Sequence, residues 1–164
     1  MSEIHVKGLS DIQKFLDQLP AKIERNIMRG ALRSGMKTVQ PVAQHNIHSV
    51  SGQLAQGLKI GTRARGGTVT AVLQATGPHA FVAKWVEFGT KAHTIAAKEG
   101  GYLAIGDGFY KSVEHPGAAK KPFLRPALDQ QAQGAVVAAG EYMKARLATQ
   151  EGLDTSAVLI EGDE

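Results

Sequence analysis

The side chains of this 164-residue chain that could move protons or hold a metal are 6 histidines and 15 carboxylates. There is no cysteine, which excludes thiolate nucleophiles, disulfide frameworks and cysteine-based zinc sites. His45 and His48, three residues apart, could share a helix face and start a two-histidine metal site. No carboxylate close in sequence completes the ligand set. His93 and His115 fall in loops beside Glu87 and Glu114; an acid–base pair would need them to converge in one pocket, and their spacing does not ask for that. The phosphate-cradling GxxxxGK[ST] and GxGxxG loops, the GxSxG nucleophile elbow and the HExxH zinc helix are all missing from the sequence. The expectation is a protein without catalytic residues, metal ligands or a cofactor.

Two segments carry unusual chemistry. In Trp85-Val86-Glu87-Phe88-Gly89-Thr90 the one tryptophan precedes a carboxylate held between apolar residues, with a Gly-Thr exit. If this is a strand, Trp85 and Glu87 share one face while Val86 and Phe88 point to the other. That face is then either plain solvated surface or an interface, since tryptophan is enriched where proteins meet. In Lys121-Pro122-Phe123-Leu124-Arg125-Pro126 two prolines four residues apart fix the start of a helix, with Phe123 and Leu124 as anchors. Either the segment is only a rigid helix start docked on the sheet, or Arg125 is held in place to pair with a carboxylate, Glu87 being the favoured partner.

The charge is uneven. Residues 149–164 hold five acids and no lysine or arginine, so residues 1–148 keep all 19 cations against 10 acids, a net of +9. A basic body is either a solvated surface with a Lys/Arg excess or a surface for an acidic partner, nucleic acid or protein. Its densest stretch is Lys22, Arg25, Arg29, Arg33 and Lys37, about one cation per helical turn. The acidic residues 149–164 read as a tail outside a single domain of residues 1–148. No run approaches the ~18 apolar residues of a membrane span. Residues 1–13 carry acids and no apolar core, unlike a signal peptide.

The elements that must position these groups read as follows. Residues 10–48 are helical, with Ser10 and Asp11 as capping residues, a second helix starting at Pro20 and a weak point at Pro41. Strands are expected over Leu58–Arg63, Thr68–Thr76 and Phe81–Phe88, the first two joined by Arg65-Gly66-Gly67. A shorter pair, Thr94–Ala97 and Tyr102–Ile105, follows, then a loop through 106–121 and a helix from Phe123 to Leu147. Gly30, Gly35, Gly134 and Gly140 mark close packing of helices. The order predicts an α+β domain in which an antiparallel sheet of about four strands packs on helices.

Val86–Thr90 (VEFGT) followed by His115–Leu128 (HPGAAKKPFLRPAL) resembles the tail-completion, or head-to-tail joining, proteins of phages with long non-contractile tails, the gene-product-ten-like family. Ser51-Gly52-Gln53-Leu54 is similar to the family's step into the sheet, and the resemblance spans roughly residues 10–145. It implies a structural virion protein of the neck or upper tail, made in the host cytoplasm, with a fold like that of tail terminators. It further implies a ring, typically a hexamer, in contact with connector or stopper, tail terminator or tail tube, and the tape-measure end. Trp85, Glu87, Phe88, Gly89, Thr90, Lys121, Pro122, Phe123, Arg125 and Pro126 would then be interface residues. DNA would pass through the lumen, and Lys22, Arg25, Arg29, Arg33 and Lys37 could face its phosphates or an acidic neighbour.

Overall fold

One stripe of side chains organises the body. Ile27, Ala31, Gly35, Val39 and Ala43 recur every four residues and all are buried. That is the spacing of one face of a helix, and they lie in α2. The computed structural model describes residues 6–47, 52–150, 154–156 and 158–162. Its elements are β1 (Val6–Lys7), α1 (Leu9–Leu16), α2 (Ala21–His45), α3 (Gln53–Gln56), β2 (Leu58–Arg65), β3 (Thr68–Ala75), α4 (Ala80–Phe88), β4 (His93–Ala96), β5 (Leu103–Ile105), β6 (Gly108–Tyr110), β7 (Ser112–His115), α5 (Leu124–Gln150) and β8 (Glu161–Gly162).

The α2 stripe packs along α5 with the helices antiparallel. At one end Ile27 and Ala31 meet Ala139, Met143 and Leu147, joined by Ile12 and Leu16 of α1. At the other, Val39 and Ala43 meet Phe123 and Ala127, joined by Leu54 and Leu58. Between the two clusters the backbones come close: a Cβ added to Gly35 would lie 2.5 Å from the carbonyl oxygen of Ala135. The Tyr142 ring fills the space over Gly30, and Ile160 packs on Gly140. Gly134 is exposed and meets only Gln131 of its own helix, so it does not mark close packing.

Pro20 caps α2 from just outside, and its carbonyl accepts the amides of Ile23 and Glu24. α2 continues through Pro41, whose ring sits on the exposed side. The expected capping by Ser10 and Asp11 is not made: α1 starts after Gly8, at φ 85°, and Asp11 pairs instead with Lys14.

The strands form four separate antiparallel pairs rather than one sheet of about four. β2 and β3 make an eight-residue hairpin closed by Gly66-Gly67, both at positive φ. A two-residue turn of that kind matches the twist of the flanking strands. The hairpin's inner face, with Leu58, Leu73 and Ala75, closes the second core cluster.

The segment expected as a third strand, Phe81–Phe88, is α4. A short apolar run cannot be assigned to strand or helix by periodicity alone, and here packing decides. Coiled as a helix, it turns Ala83 and Val86 onto the second core cluster and Phe81, Trp85 and Phe88 outward. Gly89, at φ 72°, ends it and returns its amide to Trp85.

The two shorter strands expected to pair with each other do not. β4 pairs with β7 (His93 opposite His115), and β5 with β6 (Leu103 opposite Tyr110), so much of the expected loop 106–121 is strand. Together they form one long hairpin, turned at Gly106-Asp107, and no residue from 88 to 122 is buried. This arm stands off the helical body.

The expected acidic tail is not wholly outside the domain. Val158 and Ile160 are buried in the first core cluster, and β8 pairs with β1. Burial of these two apolar side chains outweighs the polar composition around them. Glu151, Asp163 and Glu164 lie outside the described residues, as do His48 and Ser51.

Candidate functional site

The two segments singled out in the sequence meet each other along their lengths. The Glu87 side chain, 7% exposed, points inward from the last turn of α4 toward the start of α5. Its Oε2 accepts the backbone N–H of Phe123 at 2.8 Å and of Leu124 at 3.0 Å, and its Oε1 accepts that of Arg125 at 3.3 Å. A helix leaves its first amides without intrahelical partners. Here three of them go to one carboxylate, and the next residue, Pro126, has no N–H to satisfy. The negative charge also sits at the positive end of the α5 dipole. The spacing Pro-Phe-Leu-Arg-Pro thus has a physical account. Phe123 is fully buried as an anchor, three amides converge on Glu87, and a proline occupies the remaining position.

The expected pairing of Glu87 with Arg125 is corrected in kind. Arg125 reaches the carboxylate through its backbone amide, not its guanidinium. Its exposed side chain lines an open cavity of about 570 Å³ with Phe88, Lys120, Pro122 and Asp129. The predicted face is also inverted: Glu87 is buried, whereas Phe88 is 64% exposed. Glu87 and Trp85 are two residues apart, which in a helix puts them about 200° apart, not on one face.

Two further links complete this clasp. Lys121 donates its amide to the Val86 carbonyl at 2.7 Å, and Thr90 and Ala118 exchange a pair of backbone hydrogen bonds. Gly89 adopts φ 72°, ψ −179°, a region open almost only to glycine. A Cβ there would come within 2.6 Å of the Ala118 carbonyl oxygen. Gly117, at φ 88°, faces Thr90 from the other side. The clasp is therefore the root of the arm: the chain leaves the body at Thr90 and returns at Ala118.

Outside the clasp lies an apolar surface. Phe81, Trp85 and Phe88, spaced by four and three residues, form one outward stripe of α4, with Phe81 and Trp85 edge to face at 5.0 Å. On the arm, Tyr102, Ile105, Phe109 and Tyr110 are 49–76% exposed. Sequence reasoning did not single out Phe81 or these arm residues. The signal was present: Ile105-Gly106-Asp107-Gly108 is a Gly-Asp hairpin turn flanked by apolar residues.

His93 and His115 make local contacts. His93 and His115 face each other across β4 and β7 with ring centroids 5.1 Å apart. Nδ1 of His93 contacts the Lys91 carbonyl and Nδ1 of His115 accepts the amide of Gly117. Among the described residues no group of three or more His, Asp or Glu is arranged to hold a metal ion. No helix among them is long and apolar enough to cross a membrane.

Lys22, Arg25, Arg29, Arg33 and Lys37 are all exposed on α2, roughly opposite its buried stripe. Arg29 leans onto β2, its guanidinium 3.5 Å from the hydroxyl and carbonyl oxygens of Thr62.

Contiguous exposed apolar surface of this kind is the sort that marks sites where proteins meet. Residues 10–89 match the HK97-gp10-like family, described as "Bacteriophage HK97-gp10, putative tail-component", and the resemblance read from the sequence is shown over these residues. The matched segment runs from α1 to Gly89, taking in Glu87 and the α4 stripe. No curated protein matches the chain, and no solved structure does.

Proposed function

We propose that this protein is a non-catalytic assembly component of the phage neck or upper tail, a ring, hexameric by resemblance, that joins the tail to the head-proximal connector. The observation that carries the reading is the family match over residues 10–89, a segment that contains Glu87 and the exposed α4 stripe and ends where the arm begins. A ring needs two different patches per subunit, one binding the other on the next copy. The α4 stripe and the arm are two such patches on one chain. Trp85 and Phe88 on α4, with Thr90, Lys121, Pro122, Arg125 and Pro126 at the clasp, would lie at or beside subunit contacts; Glu87, Gly89 and Phe123 would hold those contacts in shape from within. Tail termination is the nearest alternative role for the same ring. The neighbours of either ring are connector or stopper, tail tube and tape-measure end, and the site of action is the virion.

Deleting the gene should give heads and tails that remain apart in negative-stain images, with both otherwise complete. Normal virions in its absence would remove the proposal. Particle images of the neck should show a closed collar whose subunit count gives the symmetry directly.

A second reading is favoured by one observation, the five exposed cations on α2. They could contact DNA phosphates in the lumen without reading sequence. Affinity for duplex DNA would then fall with salt with a log–log slope of about −0.9 per phosphate neutralised. Arg25→Glu combined with Arg33→Glu should flatten that slope. Salt-independent or absent binding would assign the stripe to an acidic protein neighbour.

A further inference from the structure

The arm's tip and the arm's root carry matching chemistry that one chain cannot bring together. At the tip, Leu103–Tyr110 bears a single charge, Asp107, flanked by Ile105 and Phe109, which are 50% and 76% exposed. At the root, an open pocket beside Trp85, Ile95 and Ala118 is bordered by Lys91, and Lys84, Lys120 and Lys121 are exposed on the same segments. The root's one carboxylate on α4, Glu87, is already committed to the amides of α5. One end of the arm is thus apolar with one negative charge, and the other is apolar with four lysines that outnumber Glu114, exposed on β7 beside His115.

Within one chain neither end covers the other: Phe109 and Trp85 both remain exposed. The return strand from Gly108 to Ala118 spans up to about 35 Å at ~3.3 Å per residue, which separates tip from root. The arm is also a ribbon of only two strands at any point, with unpaired backbone groups on both outer edges. Ribbons of that kind are marginal in water unless something packs on them.

The geometry points to a second copy of this chain as the occupant: the tip of one arm, with Phe109 and Asp107, docks at the root of the next copy's arm, against Trp85 and Lys91. The contact is heterologous, tip to root, so it repeats from copy to copy and closes where the rotation allows. It rests on the ring reading above and names the surfaces that make the ring.

The test replaces Phe109 with a photo-crosslinking phenylalanine in the full chain and mixes isotopically heavy and light protein. Because Phe109 is 76% exposed, the fold should be untouched, which circular dichroism checks. The expected product joins the tip peptide of one isotope to the peptide containing Trp85 or Lys91 of the other. Asp107→Lys and Trp85→Ala should each weaken self-association about tenfold or more, the scale of truncating an interface anchor. Links confined to one chain, links to another surface, or links only to a different tail protein would overturn the inference and leave the ring reading standing. A wild-type chain that stays monomeric both in concentrated solution and in assembled tails would defeat the ring reading, and this inference with it.

Discussion

Oε2 of Glu87 lies 2.8 Å from the amide nitrogen of Phe123, and through that contact the end of α4 fixes the beginning of α5. The two residues are 36 positions apart, with the whole arm between them. The carboxylate therefore does three things at once. It caps a 27-residue helix, holds the fully buried Phe123 in the second core cluster, and closes the loop from which the arm projects. A residue that looks like a surface acid in the sequence is the keystone of the region.

Glu87→Ala should cost about 2–4 kcal/mol in urea unfolding, because three amides lose their acceptor in a largely buried setting. Glu87→Gln keeps one acceptor oxygen but no charge, and should cost about half as much. A change below ~0.5 kcal/mol for the alanine variant, the range of an ordinary surface substitution, would show that water replaces the carboxylate freely.

The same geometry makes a distinction about Arg125. Were the pair held by opposite charges, exchanging them (Glu87→Arg with Arg125→Glu) would restore part of what either single change loses. The amide of Arg125, not its guanidinium, meets the carboxylate, so no restoration is expected, and Arg125→Ala alone should leave stability within ~0.5 kcal/mol. Recovery in the double variant, measured by the same unfolding curves, would refute the capping arrangement.

Glycines separate by what surrounds them. Gly89→Ala forces a Cβ into a backbone region that side chains avoid and against the Ala118 carbonyl, at a cost of about 2–4 kcal/mol. Gly134→Ala, on an exposed stretch of α5 with only ordinary contact, should instead raise stability by about 0.5–1 kcal/mol. Thermal unfolding of the two variants should move in opposite directions. Equal destabilisation would mean that the root of the arm is not the strained point described above.

How far the sequence carries depends on which force decides each segment. The α2 stripe and the Gly66-Gly67 hairpin were legible because local periodicity and turn chemistry agree with the packing. So was the importance of the Glu87 and Phe123 segments, from their residue types alone. Their relation was not, because a carboxylate taking distant backbone amides leaves no pattern in side-chain charge. Phe81–Phe88 misleads for another reason: its β-branched and aromatic residues favour a strand, and only the core under Ala83 and Val86 selects the helix. Gly89 was the available hint, since glycine commonly follows a helix end. Arm residues such as Phe109 were hidden by their setting, a glycine-rich stretch that reads as loop.

Ile160 tests where the domain ends. It is 8% exposed, packs on Gly140 of α5, and shares the first core cluster with Ile12, Leu16 and Leu147. If residues after 148 were only an acidic tail, Ile160→Ala would change nothing. As a core residue it should cost about 2–4 kcal/mol, the range for truncating a buried isoleucine. Leu159, its neighbour in sequence, is 63% exposed, and Leu159→Ala should cost less than ~0.5 kcal/mol. The contrast between adjacent positions distinguishes specific packing from a general effect of shortening apolar side chains near the terminus. It is read from the unfolding midpoints of two single variants, and equal midpoints would return this segment to the status of a tail.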